Sequence, residues 1–206
     1  MSDKLQFVAG FRHSFTAESR DNRTGVLSEI LASGSESTYV KLRPMIEIRR
    51  AKDSDFDGIW QIFHQVVGRG DTYATSPETT KEQARSMWMS EGVTTYVALL
   101  GTEIVGSYVL RANHPGRLGS HVANASYMVS PTHTRKGIGR MMCEHSLEEA
   151  RKAGFLAMQF NRVVSANHAA IELYKKIGFV IVGTVPKAFQ HRTLGLVDVF
   201  IMHRFL

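Results

Sequence analysis

The sequence predicts an α/β fold of the mixed α+β kind, in which helices flank a mostly antiparallel sheet. Residues 46–49 alternate apolar and charged side chains, as a half-buried strand does. The apolar residues within 56–67 recur at helical spacing instead. In the C-terminal half, strand-like and helix-like stretches follow one another, which is typical of strand–helix–strand crossovers.

Turn and capping residues delimit the elements. Asp53 or Ser54 can cap the helix that ends near residue 67. The pair Gly101-Thr102 joins two strands as a hairpin, and Gly154 ends the third helix. We predict strands at 46–49, 95–100, 103–110, 121–129, 156–164, 179–185 and 197–203. We predict helices from 53 or 54 to 67, and at 78–91, 137–152 and 167–177.

The first 44 residues are patterned differently from the rest. They contain Ser/Thr/Gly-rich runs such as residues 32–38, and neither helical nor strand periodicity persists there. We expect residues 1–44 to be a weakly structured N-terminal extension, or to precede the true start at Met45. In either case they are expected to be dispensable, and residues 45–206 to form the functional domain.

The composition argues against several classes of protein. The chain has 206 residues, with 25 Lys and Arg against 19 Asp and Glu, for a net charge of +6. The basic residues are scattered and form no run of five, so they predict a solvated surface rather than nucleic-acid binding. No stretch approaches the ~20 apolar residues of a membrane span, and the N-terminus lacks the apolar segment of a secretory signal. We expect a soluble, cytoplasmic protein.

Cysteine and histidine offer little for a metal site. Cys143 is the only cysteine, which excludes an intramolecular disulfide framework and any multi-cysteine zinc site. The nine histidines are sporadic, and the sequence contains no His-Glu-x-x-His zinc motif. We therefore expect no metal.

The most informative stretch covers residues 127–140 and is typical of a strand, a short loop and a helix. Gly137 and Gly139 stand at the predicted helix start, where the absence of Cβ atoms lets the backbone approach a ligand. Unpaired first-turn amides and the helix dipole favour an anion at this end. Three basic residues add positive charge: Arg135, Lys136 and Arg140. The stretch is either a phosphate cradle or a plain glycine-rich turn.

A second stretch, residues 161–179, contains polar residues at helical spacing. Asn167, Ala170 and Tyr174 are three and then four residues apart, so one helix face carries all three. Asn167 can equally be an ordinary helix cap. Tyr174, taken alone, is as easily a core or surface aromatic.

Together the two stretches resemble the GCN5-related N-acetyltransferase (GNAT) family, from about Ile46 to Leu206 and most sharply over residues 124–179. The resemblance implies acetyl-CoA as co-substrate and an amine as acceptor. It also implies that the strands around Val129 and Leu156 splay apart to admit the pantetheine arm. Thr134 is a departure, because the family usually has Arg or Gln at that position.

The resemblance implies acetyl-CoA contacts from the first strand end, the glycine loop and the second helix: Met128, Val129, Arg135, Lys136, Gly137, Ile138, Gly139, Arg140, Asn167 and Ala170. Locally, residues 124–129, 160–161 and 165–167 are similar to a branch that includes the yeast acetyltransferase acting on azetidine-2-carboxylate. That similarity implies substrate contacts at Asn124 and Asn161. Asn124 could instead be satisfied by neighbouring backbone.

Direct attack of an amine on the thioester requires deprotonation of the amine, a donor for the oxyanion and a donor for the leaving thiolate. We expect a backbone amide near Met128 and Val129 to serve the oxyanion, and Tyr174 to serve the thiolate as catalytic acid. Residues 121–129 contain no Asp or Glu. The base is therefore expected to be a water chain or a residue from 68–78.

The sequence thus predicts an acetyl-CoA-dependent N-acetyltransferase acting on a small-molecule amine that resembles an amino acid. Two alternatives within the same fold stay open, a non-catalytic CoA-binding sensor and an acetyltransferase for protein amines. A basic nucleic-acid-binding module ranks last. No metal, membrane or nucleic-acid partner is expected, and a homodimer is left open.

Overall fold

The computed structural model describes residues 45–116 and 118–206. Seven strands form one sheet: β1 Ile46–Arg50, β2 Thr94–Leu100, β3 Glu103–Ala112, β4 Val122–Val129, β5 Ala157–Val164, β6 Val180–His191 and β7 Gly195–Phe205. Four helices accompany them: α1 Phe56–Val67, α2 Lys81–Trp88, α3 Ile138–Lys152 and α4 His168–Lys176. The predicted extension 1–44 lies outside the described residues. Within those ranges, no helix is long and apolar enough to span a membrane.

The sheet has the strand order β1-β2-β3-β4-β5-β7-β6. Every neighbouring pair is antiparallel except β4 and β5, which run parallel. Two cores lie on its opposite faces. Residues of α1 and α2 pack with one set of strand side chains, and residues of α3 and α4 pack with the other. The predicted fold class, a mostly antiparallel sheet flanked by helices, is confirmed.

Several predicted boundaries were wrong, for local reasons. A 3-10 turn, Asp53–Asp55, precedes α1, so neither Asp53 nor Ser54 caps that helix. The second helix is shorter than 78–91, because Thr80 forms a capping box with Gln83 and fixes the start at Lys81.

β6 extends well beyond residue 185, the predicted end of this strand. β6 is the outermost strand, and its pairing with β7 is interrupted between Val185 and Phe189. Lys187 there adopts a φ of 53°. An edge strand tolerates proline at such an irregularity, since no ladder bond needs the missing N–H.

The central strands β4 and β5 separate almost at once. Val122 pairs with Ala157 and Ala123 with Met158, and the parallel ladder shows no further pairs. β4 meanwhile stays paired with β3 as far as Val129. The opening between β4 and β5, which we call the splay, agrees with the separation that the family resemblance implied.

A buried ion pair ties β1 to the start of α1. The Asp55 carboxylate accepts hydrogen bonds from the Arg49 guanidinium at 2.7 and 2.9 Å and from the backbone amide of Lys52 at 2.6 Å. Arg49 holds the pKa of Asp55 below its ordinary value, although burial opposes this effect. The charged form of Asp55 therefore stabilises the fold.

We expect Asp55→Ala to lower the free energy of unfolding by ~2 kcal/mol at neutral pH. This is less than the loss of a fully buried ion-pair partner costs, because the Arg49 side chain is 30% exposed. A depressed pKa gives stability that is present at neutral pH and lost as the pH falls through the folded-state pKa. The difference between variant and wild type in urea unfolding should therefore shrink in acid. Asp57→Ala, at an exposed carboxylate, is the control and should change little; equal losses from both would contradict the argument.

Candidate active site

The last residues of β4 present one backbone amide to the splay. The amide of Ser130 donates to the carbonyl of Val105 in β3 at 2.9 Å. Backbone groups alternate sides along a strand, so the amide of Val129 faces β5 and the splay, whereas that of Met128 faces β3. The Met128 side chain is buried against α1 and α2. Of the two residues predicted near the oxyanion, Val129 has the amide on the appropriate side.

The glycine loop leads directly from this strand end into α3. Gly137 stands at the helix N-cap with a φ of 80° and makes no side-chain capping bond. Arg135 also has a positive φ, 60°, which is uncommon for a residue with a Cβ. The first turn of α3 contains no acidic residue. Its amides, beginning at Ile138, therefore form an electropositive helix end that suits an anion.

The basic residues of the loop are placed differently from one another. Arg135 and Lys136 are exposed beside the helix end. The Arg140 guanidinium instead turns along α3, where its Nε donates to Oε1 of Glu144 at 2.8 Å. Arg135 and Lys136 are therefore better placed than Arg140 to meet a phosphate in this arrangement.

Gly139 lies where the three parts of the site meet. A Cβ at Gly139 would stand 3.7 Å from Cγ2 of Val129 at the end of β4 and 3.9 Å from Cδ2 of Leu173 in α4. These are ordinary contact distances, so internal packing does not require glycine here. The two motifs identified from the sequence converge at this residue.

Residues of the second motif form α4 and its N-cap. The Asn167 side-chain oxygen accepts a hydrogen bond from the amide of Ala170 at 3.2 Å, so Asn167 is the helix N-cap. Tyr174 lies two turns on, and its ring is 4.5 Å from that of Phe160 in β5 and 6.3 Å from that of Tyr127 in β4. Tyr174 is thus held between the two strands that splay.

Burial is the main influence on the pKa of the Tyr174 phenol. It raises the pKa of Tyr174 above the ordinary tyrosine value, and the neighbouring Cys143 and Tyr73 raise it further. The Cys143 thiol is itself buried, which raises its pKa to about 12. Tyr174 is therefore neutral and keeps its proton at physiological pH, and Cys143 is a buried core residue.

The two predicted substrate asparagines are linked through Gln159, which binds Asn124 by its backbone carbonyl and Asn161 by its side chain. Asn124 Nδ2 donates to the backbone carbonyl of Gln159 at 2.8 Å, at the point where the β4–β5 ladder stops. Gln159 Nε2 donates to Asn161 Oδ1 at 2.7 Å, and Asn161 Nδ2 donates to Asn113 Oδ1 at 2.6 Å. The side-chain NH₂ group of Asn124 thus bonds to neighbouring backbone, as the sequence analysis had allowed in place of a substrate contact. Its bond bridges the first gap of the splay.

Tyr73, in the α1–α2 loop, was missed in the sequence. Burial raises its pKa to about 12, while Ser126 of β4 and the charge of Arg111 in β3 act in the opposite direction. Ser126 and Arg111 lie on the same sheet face as Asn124, because Asn124 is opposite Arg111 and two residues before Ser126. Tyr73 also influences Tyr174. It therefore marks a second side of the splay, remote in sequence from both motifs.

A cavity of about 700 Å³ adjoins Tyr73. The α1–α2 loop forms one wall, and β5 and β6 form the other. From the sequence, this loop was expected as a possible source of the base, within residues 68–78. The volume of the cavity is within the range of small-molecule sites.

The described ranges contain no group of three or more His, Cys, Asp or Glu residues that could hold a metal ion. The carboxylate of Asp71, in the region expected to supply a base, forms an ion pair with Arg69 at 3.2 Å. Glu78, at the end of the same region, is exposed. Both expected routes for the amine proton, a water chain and a residue of 68–78, therefore stay predictions.

A known protein family matches the part of the chain that contains the glycine loop and α4. A sequence model of the Acetyltransferase (GNAT) family matches residues 58–179. N-acetyltransferase aca1 of Schizosaccharomyces pombe is 35% identical over 101 residues, which are 48% of this chain and 48% of that protein. The chain thus spans about half the length of this curated relative.

Solved structures resemble this chain over a larger part of its length. A GCN5-related N-acetyltransferase from Kribbella flavida superposes with a TM-score of 0.75 at 42% identity, covering 78% of this chain and 98% of that one. The structure of yncA from Salmonella typhimurium with its cofactor acetyl-CoA gives a TM-score of 0.67 at 22% identity, covering 79% and 94%. The second likeness concerns the fold alone. The family match and the first structure establish that the chain belongs to the GNAT family of acetyltransferases.

Proposed function

We propose that this protein is an acetyl-CoA-dependent N-acetyltransferase whose acceptor is the amine of a small, amino-acid-like molecule. The observation that carries the proposal is the convergence of three groups at the splay. The amide of Val129, the electropositive start of α3 and the phenol of Tyr174 all border it. Acyl transfer from a phosphate-containing thioester needs these three kinds of group.

The residues at the start of α3 fit the pyrophosphate of acetyl-CoA. The helix end has a glycine cap, no acidic residue in its first turn and two exposed basic residues before it, Arg135 and Lys136. Backbone amides of Ile138 and Gly139 would bind phosphate oxygens. Thr134, the departure from the family pattern, is also exposed and adds no charge. The family membership of the chain supports the same co-substrate.

The reaction needs a base for the amine, a donor for the oxyanion and a donor for the departing sulfur, and side-chain and backbone groups of this protein can provide the two donors. Acetyl-CoA supplies the acetyl group as a thioester. The Val129 amide would donate to the carbonyl oxygen as it gains negative charge. Tyr174 would donate a hydrogen bond to the departing sulfur, and its raised pKa favours this over complete proton transfer. Water would take the proton from the amine.

The acceptor is proposed as a small molecule because the cleft beside Tyr73 has a volume of about 700 Å³, within the range of small-molecule sites, and is partly walled by apolar residues. Transfer to a protein amine, the alternative, would place the amine of a peptide in the same open cleft. A CoA-binding sensor would need no acceptor site, so a cleft of this size beside Tyr73 favours an enzyme. An acceptor screen that detects free thiol, run with small amines and with peptides, separates the three.

Tyr174→Phe should lower kcat by ~10²-fold, because the donor for the departing sulfur is lost. Affinity for acetyl-CoA, measured by calorimetric titration, should change little. Tyr96→Phe is the matched control: its phenol donates to Glu149 at 2.7 Å, away from the splay, and its kcat should remain normal. Full kcat in Tyr174→Phe, with chemistry shown to be rate-limiting, would assign the donor role to water or another group.

Gly139→Asp should abolish most acetyl-CoA binding while leaving the protein folded. An acidic residue in the first turn suits the helix dipole but repels pyrophosphate. Gly139→Ala is the control, since its Cβ meets only ordinary contacts. Calorimetry should show a much larger loss for Asp than for Ala, with similar melting temperatures for the free proteins. An unchanged dissociation constant in Gly139→Asp would place the pyrophosphate elsewhere.

We also propose a homodimer formed through β6. It is the outer strand of the sheet, and three consecutive apolar residues along it are exposed: Val180, Ile181 and Val182. The part of this strand before the irregularity at Val185 has no charged residue and, among the described residues, no outer neighbour, so it can pair with a second copy. Analytical ultracentrifugation should give twice the chain mass, and Ile181→Lys should give a monomer. A monomeric wild-type protein would contradict the proposal.

A further inference from the structure

The cavity beside Tyr73 is bordered by two arginines from different strands. Arg162 belongs to β5, and Arg192 to the hairpin that joins β6 and β7. They are the only charged residues among those that line the cavity, and no carboxylate lines it within the described residues. A ligand in this cavity therefore meets a positive field on one side.

A bulge positions Arg162. Phe160 pairs with Met202 and Val163 with Phe200, so Asn161 and Arg162 together face a single residue of β7. Such a bulge redirects side chains, and bulges are common beside active sites. It brings Arg162 to the cavity, one residue after Asn161 of the amide chain described above.

A backbone contact positions Arg192. Its amide donates to the carbonyl of Gly70 at 3.0 Å, which joins the β6–β7 hairpin to the α1–α2 loop. Gly70 has a φ of 61°, and a Cβ there would stand 3.5 Å from Cβ of Arg192. The hairpin therefore meets the loop closely at the cavity rim. Neither Arg162 nor Arg192 forms an ion pair with a described residue.

The rest of the cavity wall is largely apolar. Phe189, Pro77 and Ala74 line it with Tyr73. Phe189 is buried in a small cluster with Val164 and Val199, which holds this wall in place. The cavity thus combines an apolar wall with two cationic side chains, and Tyr73 connects it to Ser126 at the splay.

We propose that this cavity selects acceptors that carry a carboxylate, which Arg162 and Arg192 bind while the acceptor amine lies toward Tyr73 and the splay. The proposal rests on the proposed N-acetyltransferase function and narrows its substrate class to amino acids with a free carboxylate. Guanidinium groups bind carboxylates through paired, charge-assisted hydrogen bonds. The volume of about 700 Å³ accommodates an amino acid with an apolar side chain.

The first test compares acceptors that differ only in the carboxylate. L-alanine is assayed against L-alaninamide and L-proline against L-prolinamide, with release of the CoA thiol as the measurement. The free acids should have at least tenfold higher kcat/KM than their amides. Equal values for acid and amide would overturn the proposal and leave the N-acetyltransferase function standing.

The second test removes each arginine. Arg162→Gln and Arg192→Gln should each lower kcat/KM for the free acid by tenfold or more, mainly through KM. Both should change kcat/KM for the amide by less than threefold and leave the KM for acetyl-CoA unaltered. Arg151→Gln, at an exposed position in the last turn of α3, removes the same charge far from the cavity and should have no effect. Equal losses for acid and amide would show that the arginines do not bind the carboxylate.

A binding measurement separates this proposal from the proposed function. N-acetyl-L-alanine and its amide are titrated calorimetrically into the protein in the presence of CoA, where no turnover is needed. Carboxylate-dependent binding that Arg162→Gln and Arg192→Gln both abolish would support the proposal even if no amine were acetylated, in which case the enzyme function would fail alone. If the free acids gain neither binding nor turnover over the amides, the carboxylate site is wrong.

Discussion

The early loss of pairing between β4 and β5 is the constraint on which the site depends. After Ala123 and Met158 the parallel ladder stops, although both strands continue and each keeps its other neighbour. An unpaired backbone inside a sheet is costly unless something satisfies it. The Asn124 side chain does so at the first gap, by donating to the Gln159 carbonyl. The remaining groups of β4, including the Val129 amide, are left for a ligand.

The splay also separates two chemically different environments. On the side of α3 and α4 lie the glycine loop and Tyr174, which rests among aromatic rings. On the other side lie Tyr73, Ser126 and the cavity with its two arginines. A thioester and an acceptor amine could therefore approach from opposite faces of the sheet and meet between the strands. The fold needs no moving part to bring the two substrates together.

The sequence predicted those parts of the fold and site that depend on nearby residues. Hydrophobic periodicity identified all seven strands and four helices, and the glycine pair and the α4 motif indicated the family. Positions set by distant residues were missed. Tyr73 is an aromatic in a loop until the sheet places Ser126 beside it, and Arg162 is an ordinary strand residue until the bulge against β7 redirects it. The length of β6 was likewise missed, because only the sheet order shows that Pro186 lies in an edge strand.

The burial of Tyr174 bears on how the thiolate leaves. A phenol with an ordinary pKa near ~10 is already a weaker acid than a thiol near ~8.5, so full proton transfer to the sulfur is unfavourable. Burial, with Cys143 and Tyr73 nearby, raises the Tyr174 pKa and widens that difference. The same burial strengthens a hydrogen bond from the neutral phenol, because the local dielectric is low. In the proposed mechanism Tyr174 therefore donates a hydrogen bond rather than a proton, and the thiolate would depart with its proton supplied later by solvent.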